Sequence, residues 1–395
     1  MILRSLALFC LYAGLSFATA HSQDYLYATG SPAFSTQLPI DHGFVQVNNG
    51  EIHLEIPLPS APQRGDFTSS QKLVYDSRIW KIVQSSGYSW QPTNVPGSAG
   101  GWTFQSGAGG GTLTMTTGRG DDRHSFPCTG GPIQPRTQTQ SHLYTDYYRW
   151  SWTDPGGTVH SFPDAETVKY DPPATDDCDP PQTLPDVSSS NASSSDGTGY
   201  TLSLSNYTVA TITDRTGTTY HPGSTVVTDR NGNWMSADTS GNLVDTAGNT
   251  PVLVTSNGNT TYYDVLGAAG SRLRYTVTYQ AVSFNTAFHE TQVSENAGSF
   301  SAIQSIGLPD GSSYHFSYNA GTYGDLASMT LPTGGVITYN YATFMDSFNN
   351  QNRWLSSIVK DGGTTNLSPS VYSICSSTNG CAENVTVTSP DLRTC

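Results

Sequence analysis

Residues 308–318, LPDGSSYHFSY, align without a gap on residues 331–341, LPTGGVITYNY, a shift of 23. A chain that repeats itself at that period is restricted to arrays of one supersecondary unit. The match runs backwards at the same shift, since Ile303-Gln304-Ser305-Ile306 falls on Leu326-Ala327-Ser328-Met329. A looser third copy, Leu355-Ser356-Ser357-Ile358 followed by Asp361-Gly362, comes after a six-residue insertion. Leu-Pro-Asp-Gly puts Pro at i+1 and Gly at i+3, the residue types a type I turn favours. Turns are therefore predicted on Pro309-Asp310-Gly311 and Pro332-Thr333-Gly334. After each turn, strict alternation sets Tyr314, Phe316 and Tyr318, and equivalently Ile337, Tyr339 and Tyr341, on one face, with Ser313, His315 and Ser317 opposite. A lone hairpin is marginal in water, so successive units must pair edge to edge and stack one aromatic face.

The rest of the chain agrees with β-structure. Only 12% of its 395 residues are charged, whereas 39 Gly and 23 Pro supply turns and 22 Tyr, 14 Phe and 7 Trp supply surface to bury,. Ile52, Leu54, Ile56 and Leu58 alternate with Glu51, His53 and Glu55; Tyr148, Trp150 and Trp152 do the same. Leu273, Tyr275, Val277, Tyr279 and Ala281 share one face of an expected long strand. No 3.6-residue periodicity competes with these patterns after the N-terminal apolar run. The fold class expected is all-β: an N-terminal antiparallel domain over 21–170, a Pro/Asp/Ser-rich linker or loop over 171–199, and hairpin repeats over 200–395, clearest at 301–365. The formal charge of −14 leaves no basic stripe for phosphates, which excludes nucleic acid as a partner,.

The first twenty residues carry an export signal: Arg4, an apolar run from Leu6 to Phe17, and Ala18-Thr19-Ala20 as the cleavage site, so that His21 begins the mature chain. No later stretch approaches the roughly 20 apolar residues of a membrane-spanning helix. The protein is expected to be secreted or held at the cell surface. In that oxidising setting the natural pairs are Cys128 with Cys178 and Cys375 with Cys381, leaving Cys395 unpaired.

No nucleophile elbow, zinc-protease helix, C-x-x-C or phosphate loop occurs. Asp214/Gly217, Asp229/Gly232, Asp238/Gly241 and Asp245/Gly248 share an Asp-x-x-Gly spacing; Gly232 comes before the third ligand Asn233, which is wrong for an EF-hand and favours turns over calcium. His124 and His160 sit in matching contexts, RHSFP and VHSFP, while His221 and His315 follow aromatic residues. Repeated placement in strands favours hairpin positions over metal ligation. His289-Glu290 on a strand would point to opposite faces and make no acid–base pair. No catalytic residue, metal site or cofactor is expected.

Tyr263-Asp264-Val265-Leu266-Gly267 matches a Y-D-x-x-G unit, and residues 324–334, GDLASMTLPTG, followed by Tyr339-Asn340-Tyr341, match G-x-L-x-x-hydrophobic-T-x-P-x-G…Y-x-Y. With GFVQVNNGEIHLEIPLP (43–59), LVYDS (73–77) and GGWTF (100–104) in order before them, the chain resembles the RHS or YD-repeat family of secreted and surface proteins. The resemblance implies an open, curved, incomplete shell-like sheet, part of a β-shell that encloses or presents a C-terminal cargo. Neither a closing core nor a toxin domain follows here, so encapsulation and self-cleavage are not carried over. The expectation is a non-catalytic scaffold whose partners are further repeats, a cargo encoded downstream, or a second copy through an open strand edge near 355–374. The alternative is a carbohydrate-binding or carbohydrate-degrading protein, in which Trp80, Trp90, Trp102, Trp150 and Trp152 stack on sugar faces. Intact-mass measurement of exported protein is expected to give a chain starting at His21; retention of Met1 would contradict the signal.

Overall fold

The computed structural model describes residues 29–30, 37–47, 49–59, 71–93, 100–128, 136–172, 184–345, 351–367 and 387–388. The chain is all-β, and among these residues the one helical element is a single 3-10 turn, Ala268–Gly270. No helix there is long and apolar enough to cross a membrane.

Strands β1 (Gln37–Ile40), β2 (Gly43–Gln46), β3 (Glu51–Pro57) and β4 (Lys72–Asp76) form an antiparallel meander. β5 (Trp80–Gln84) and β6 (Tyr88–Pro92) leave it as a hairpin, and β7 (Trp102–Gln105) returns beside β4 as the fifth strand of the N-terminal sheet. The long hairpin β8 (Thr112–Cys128) and β9 (Arg136–Thr153) follows, with β10 (Val159–Phe162) and β11 (Thr167–Tyr170) pairing onto β9. Seven short strands then make a second meander: β12 (Ser190–Ser193), β13 (Thr201–Ser205), β14 (Val209–Thr213), β15 (Thr219–Tyr220), β16 (Val226–Thr228), β17 (Trp234–Ala237) and β18 (Leu243–Asp245).

The last sheet has ten strands: β19 (Val252–Asn257), β20 (Thr260–Leu266), β21 (Arg272–Asn285), then, past β22 (Val293–Ser294), β23 (Ala297–Gly307), β24 (Ser313–Tyr318), β25 (Leu326–Thr330), β26 (Val336–Met345), β27 (Gln351–Lys360), β28 (Gly363–Leu367) and β29 (Val387–Thr388). β22 itself pairs in parallel with β6. The main core lies between the N-terminal sheet (Val45, Ile52, Leu54, Leu73, Tyr75, Trp102) and the ten-stranded sheet, with Val227, Met235 and Leu243 of the meander joining it.

One turn device recurs. Gly311 N donates to Leu308 O at 3.0 Å while Leu308 N donates to Ser312 O at 2.8 Å; the same pair of bonds, 2.8 Å each, closes Leu331–Gly335. Gly311 and Gly334 stand at φ 87° and 90°, where a side chain is strained,. Each turn is therefore centred on the expected Pro309-Asp310 or Pro332-Thr333 and ends in a left-handed glycine. The four Asp-x-x-Gly motifs adopt the same arrangement, with the Asp carboxylate also tied into the loop. In one of them, Asp229 Oδ1 accepts from Asn231 N and Asn233 N, both at 2.8 Å, and Oδ2 accepts from Asn233 Nδ2 at 2.9 Å. Asp154 and Gly157 build a further copy, closed by Gly157 N donating to Asp154 O at 3.0 Å.

A second device recurs with the repeat itself. Ile303 and Ile306, Leu326 and Met329, Leu355 and Ile358 are all buried, although residues three apart on a regular strand face opposite ways. The conflict is relieved by a β-bulge. Pairing slips between Thr278 and Tyr279, between Ser317 and Tyr318, and between Asn340 and Tyr341, leaving Gln304, Ala327 and Ser356 as the unpaired extra residues. These occupy one equivalent position in each unit, the second residue of the Ile303, Leu326 and Leu355 tetrads. The bulge rotates the strand so that both apolar residues of the tetrad face the core.

Several alternations run differently from the sequence pattern. Glu51 and His53 are as buried as Ile52 and Leu54, with Gln46 and Asn49 bonded to Glu51 and with Phe44, Glu55 and Asp76 packed around the His53 ring. Tyr148 does not share the face of Trp150 and Trp152; Arg149 has a left-handed φ of 52° at a break in the β8–β9 ladder, and Tyr147 packs with the two indoles instead. On β21, Val282 and Phe284 rather than Ala281 are buried, since β21 outruns the main core and the β5–β6 hairpin covers its far end through Trp80. In the segment read as a linker, Val187 bridges Val168 and Ser190–Ser193 forms β12 against β13; residues 173–183 lie outside the described residues. Within the edge expected near 355–374, β27 is paired on both sides, Gly363–Thr365 of β28 have a described partner on one side only, and Asn366 and Leu367 pair with β29; residues 368–374 lie outside the described residues.

Deleting Ala327 would straighten β25 and force Leu326 or Met329 outward. The expected loss is about 2–5 kcal/mol in urea unfolding, the range for removing a large apolar side chain from a core, whereas Ala327→Gly should cost at most about 1 kcal/mol. Equal effects of the two changes would contradict the bulge's role.

Candidate functional site

The aromatic stripe of the repeats is covered by the N-terminal sheet, and the seam between the two is where this chain concentrates its chemistry. Trp102 of β7 sits edge-on to Phe316, with centroids 4.7 Å apart, and tilts against Tyr75 at 5.3 Å. Its Nε1 donates to Tyr318 Oη at 2.8 Å, and Tyr318 Oη donates to Ile303 O at 2.6 Å. Leu326 N donates to Tyr75 Oη at 3.1 Å, while His42 meets the ring of Tyr314 edge-on at 5.3 Å. Further along, Leu355 N donates to Gly50 O at 3.1 Å, and a Cβ on Gly50, φ 65°, would fall 2.2 Å from the Trp354 ring. Repeat residues thus supply the floor and N-terminal residues the cover.

Charged groups are buried along the same seam. Arg353 Nε and Nη2 reach Asp325 Oδ2 at 2.8 and 2.7 Å, and the guanidinium lies 4.0 Å over the Tyr323 ring. Arg78 donates to the Arg353 carbonyl. Glu51 Oε2 accepts from Gln46 Nε2 at 3.0 Å, while Glu51 Oε1 and Asp325 Oδ1 have no hydrogen-bond partner among the described residues. Burial raises the pKa of both carboxyls; the neighbouring Asp76 adds to the effect on Glu51, and Arg353 opposes it on Asp325,. The Arg353–Asp325 pair lies within the repeat sheet, whereas Arg78 donates across the seam, so a displaced cover would strip the buried Arg78 guanidinium of that acceptor,.

Two buried histidines are each held between two carboxylates. His53 Nδ1 lies 2.5 Å from Asp76 and Nε2 3.1 Å from Glu55, with the ring stacked on Phe44 at 4.6 Å. Burial alone would lower its pKa, but hydrogen bonds to Asp76 and Glu55 overcome this and lift it to about 9. Glu55, bonded to His53 and Lys72, falls to about 2. His160 repeats the arrangement with Asp196 at 2.5 Å and Asp154 at 3.3 Å, beside Trp152 and Tyr200, and its pKa is likewise raised against burial. Asp76 and Asp154 both line a cleft of about 330 Å³ between the N-terminal sheet and the β8–β11 sheet, together with Arg78, Thr103 and Gln105. The cleft can bind polar groups. Its two carboxylates are each engaged by a buried imidazole, and among the described residues no Ser, Cys or Lys lines it.

The structure brings Tyr314, Phe316, Tyr318, Ile337, Tyr339 and Tyr341 to one face and leaves His315 exposed on the other. Trp80, Trp90, Trp102, Trp150 and Trp152 are at most 1% exposed. They fill cores, so the feature that suggested sugar stacking is absorbed by packing. His124, on the exposed end of β8 and 3.0 Å from Asp122, is not equivalent to His160 despite their matching contexts. His289, with φ 59°, and Glu290 lie in a loop rather than on a strand. The cleavage site Ala20-His21 and Cys178, Cys375, Cys381 and Cys395 lie outside the described residues; Cys128 ends β8. Sequence reasoning missed the Glu51–Arg78–Asp325–Arg353 network, for which the only signal was a charged residue inside otherwise apolar runs. No family model and no curated protein matches the chain.

His53 has a raised folded-state pKa, so its stabilisation is full below pH 6.5 and is lost as pH rises through about 9,. Between those limits the unfolding free energy is expected to fall by on the order of 3 kcal/mol in the native chain. His53→Gln should flatten most of that slope in denaturant titrations at successive pH values, leaving a remainder from His160; an unchanged slope would remove His53 from the account.

Proposed function

We propose that this protein is a non-catalytic secreted or cell-surface scaffold of the RHS/YD-repeat type, whose ten-stranded sheet serves as a wall. The observation that carries this reading is the recurrence, unit after unit, of the same turn, the same bulge and the same inward aromatic positions. A sheet assembled from one repeated unit has a geometry that depends on pattern rather than on a single site, which suits a wall and not a reaction centre. Its most elaborate polar groups, Arg353 with Asp325 and Arg78 beneath the N-terminal sheet, lie buried where they secure the cover to the wall. Cargo, further repeats or a second copy are the partners this reading names, joining at a strand edge. Among the described residues, Gly363–Thr365 of β28 have a partner on one side only, β27, and β1 pairs with β2 alone, which leaves edges for strand addition.

A carbohydrate-binding reading keeps one support, the polar cleft at Asp76 and Asp154. Purified chain is expected to hydrolyse no polysaccharide, peptide or ester above the uncatalysed rate, and to associate with rising concentration in sedimentation velocity. Strictly monomeric protein together with saturable glycan binding, abolished by Asp154→Asn, would overturn the scaffold reading in favour of the cleft.

A further inference from the structure

A longer strand edge than those of β28 and β1 lies on β8. This strand runs for 17 residues, pairs with β9 from Thr112 to Cys128 and, among the described residues, with no other strand; β10 and β11 take the far side of β9. No residue from Thr112 to Ser125 is buried. Such an edge is a template for another strand, and proteins commonly guard one with charge. Here the charges are of both signs, in the order Arg119-Gly120-Asp121-Asp122-Arg123. Arg119 stands opposite Thr145 and Asp121 opposite Leu143, so these two side chains share one face of the ribbon, and Gly118, Gly120 and Asp122 share the other,. Glycine inside a strand marks a place where another backbone comes close. At Gly120 the Tyr144 ring already occupies the space a Cβ would take.

We propose that a second copy of this chain pairs antiparallel through β8, joining the two ribbons into one sheet in the order β9–β8–β8–β9 with a two-fold axis at Gly120. The proposal rests on the scaffold reading for its partner, a second copy, and adds the edge and the register. Directly opposed residues of antiparallel strands share a face, so a two-fold axis perpendicular to the sheet sets one residue against its own copy. With the axis at Arg119, Asp121, Asp122 or Arg123, that residue meets its own charge, which is destabilising. With the axis at Gly118, Arg119 faces a threonine, Thr117, and gains no partner. Among the positions from Gly118 to Arg123, Gly120 alone joins opposite charges without opposing like ones. It sets Arg119 against Asp121 of the partner subunit, and Asp121 against Arg119 of the partner subunit, on one face of the joined sheet. Asp122 and Arg123 then come to lie opposite uncharged positions, Gly118 and Thr117.

The test uses the whole chain in sedimentation velocity and native mass spectrometry. Wild type should dimerise as its concentration rises. Arg119→Asp and Asp121→Arg each exchange two attractive pairs for two repulsive ones, and each should weaken dimerisation roughly tenfold or more. Both positions are exposed, so circular dichroism should be unchanged. An equimolar mixture of the two variants restores the attractive pairs across the interface and should give heterodimers; a chain carrying both changes should give homodimers. Monomeric wild type, single variants that dimerise like wild type, or a mixture and a double variant that both stay monomeric would each overturn the proposal. These outcomes leave the scaffold reading standing, because strands can still add at β28 or β1; that reading falls instead on hydrolysis or on glycan binding by the cleft.

Discussion

Two apolar residues three apart on one strand must both reach the same core, and nearly everything else in this molecule depends on how that is achieved. A flat pleat cannot do it. The extra residues Gln304, Ala327 and Ser356 let Ile303 and Ile306, Leu326 and Met329, and Leu355 and Ile358 face inward together. Each bulge also sets where the third aromatic of the preceding strand lies, so that Tyr318 reaches both Ile303 O and Trp102. Repetition of the bulge keeps the stripe continuous from unit to unit. Without it, each hairpin would present its apolar tetrad half to water.

A continuous apolar stripe then requires a cover, which the N-terminal sheet provides. Ile52, Leu54 and Ile56 of β3 and Tyr75 and Trp102 beside them meet the repeat face directly. The same packing explains why polar residues on the reverse side of β3 are buried. Glu51 is bonded to Gln46 within the cover, while Arg78 reaches across to the Arg353 carbonyl, and a buried bond of this type rewards one register of cover on floor more than it adds to total stability. Hydrophobic burial holds the layers together and the buried charges decide how they align.

The mismatch in extent between floor and cover accounts for the cavities. Five strands cannot screen ten, and at β26–β28 the cover thins to the short strand β1. On the opposite flank the N-terminal sheet meets the β8–β11 sheet through loops, including the Asp154–Gly157 turn, and leaves a polar cleft where two His–carboxylate groups stand. One opening has aliphatic walls with Asp41, Lys360 and Asp361 also lining it, the other is polar and charged. Their chemistry differs because one is bounded by strand faces and the other by turns, whose residues are chosen for backbone bonding.

The turns were legible in the sequence, since Leu-Pro-Asp-Gly and Asp-x-x-Gly act through bonds spanning four or five residues. So were the all-β class and the inward positions Tyr314, Phe316, Ile337 and Tyr339, which follow from period-two alternation. The tetrad Leu-x-Ser-hydrophobic was visible as a repeat but not as a bulge, because an extra residue is defined only against the strand it pairs with. Whether Glu51 and His53 meet water, whether Trp102 stacks on a sugar or on Phe316, and that Arg78 lies beside Arg353, 275 residues away, were decided by the tertiary structure. Local sequence sets backbone bonds and side-chain direction; which surface closes over an outward-pointing group depends on distant segments, and burial free energy belongs to the pair of surfaces rather than to either strand.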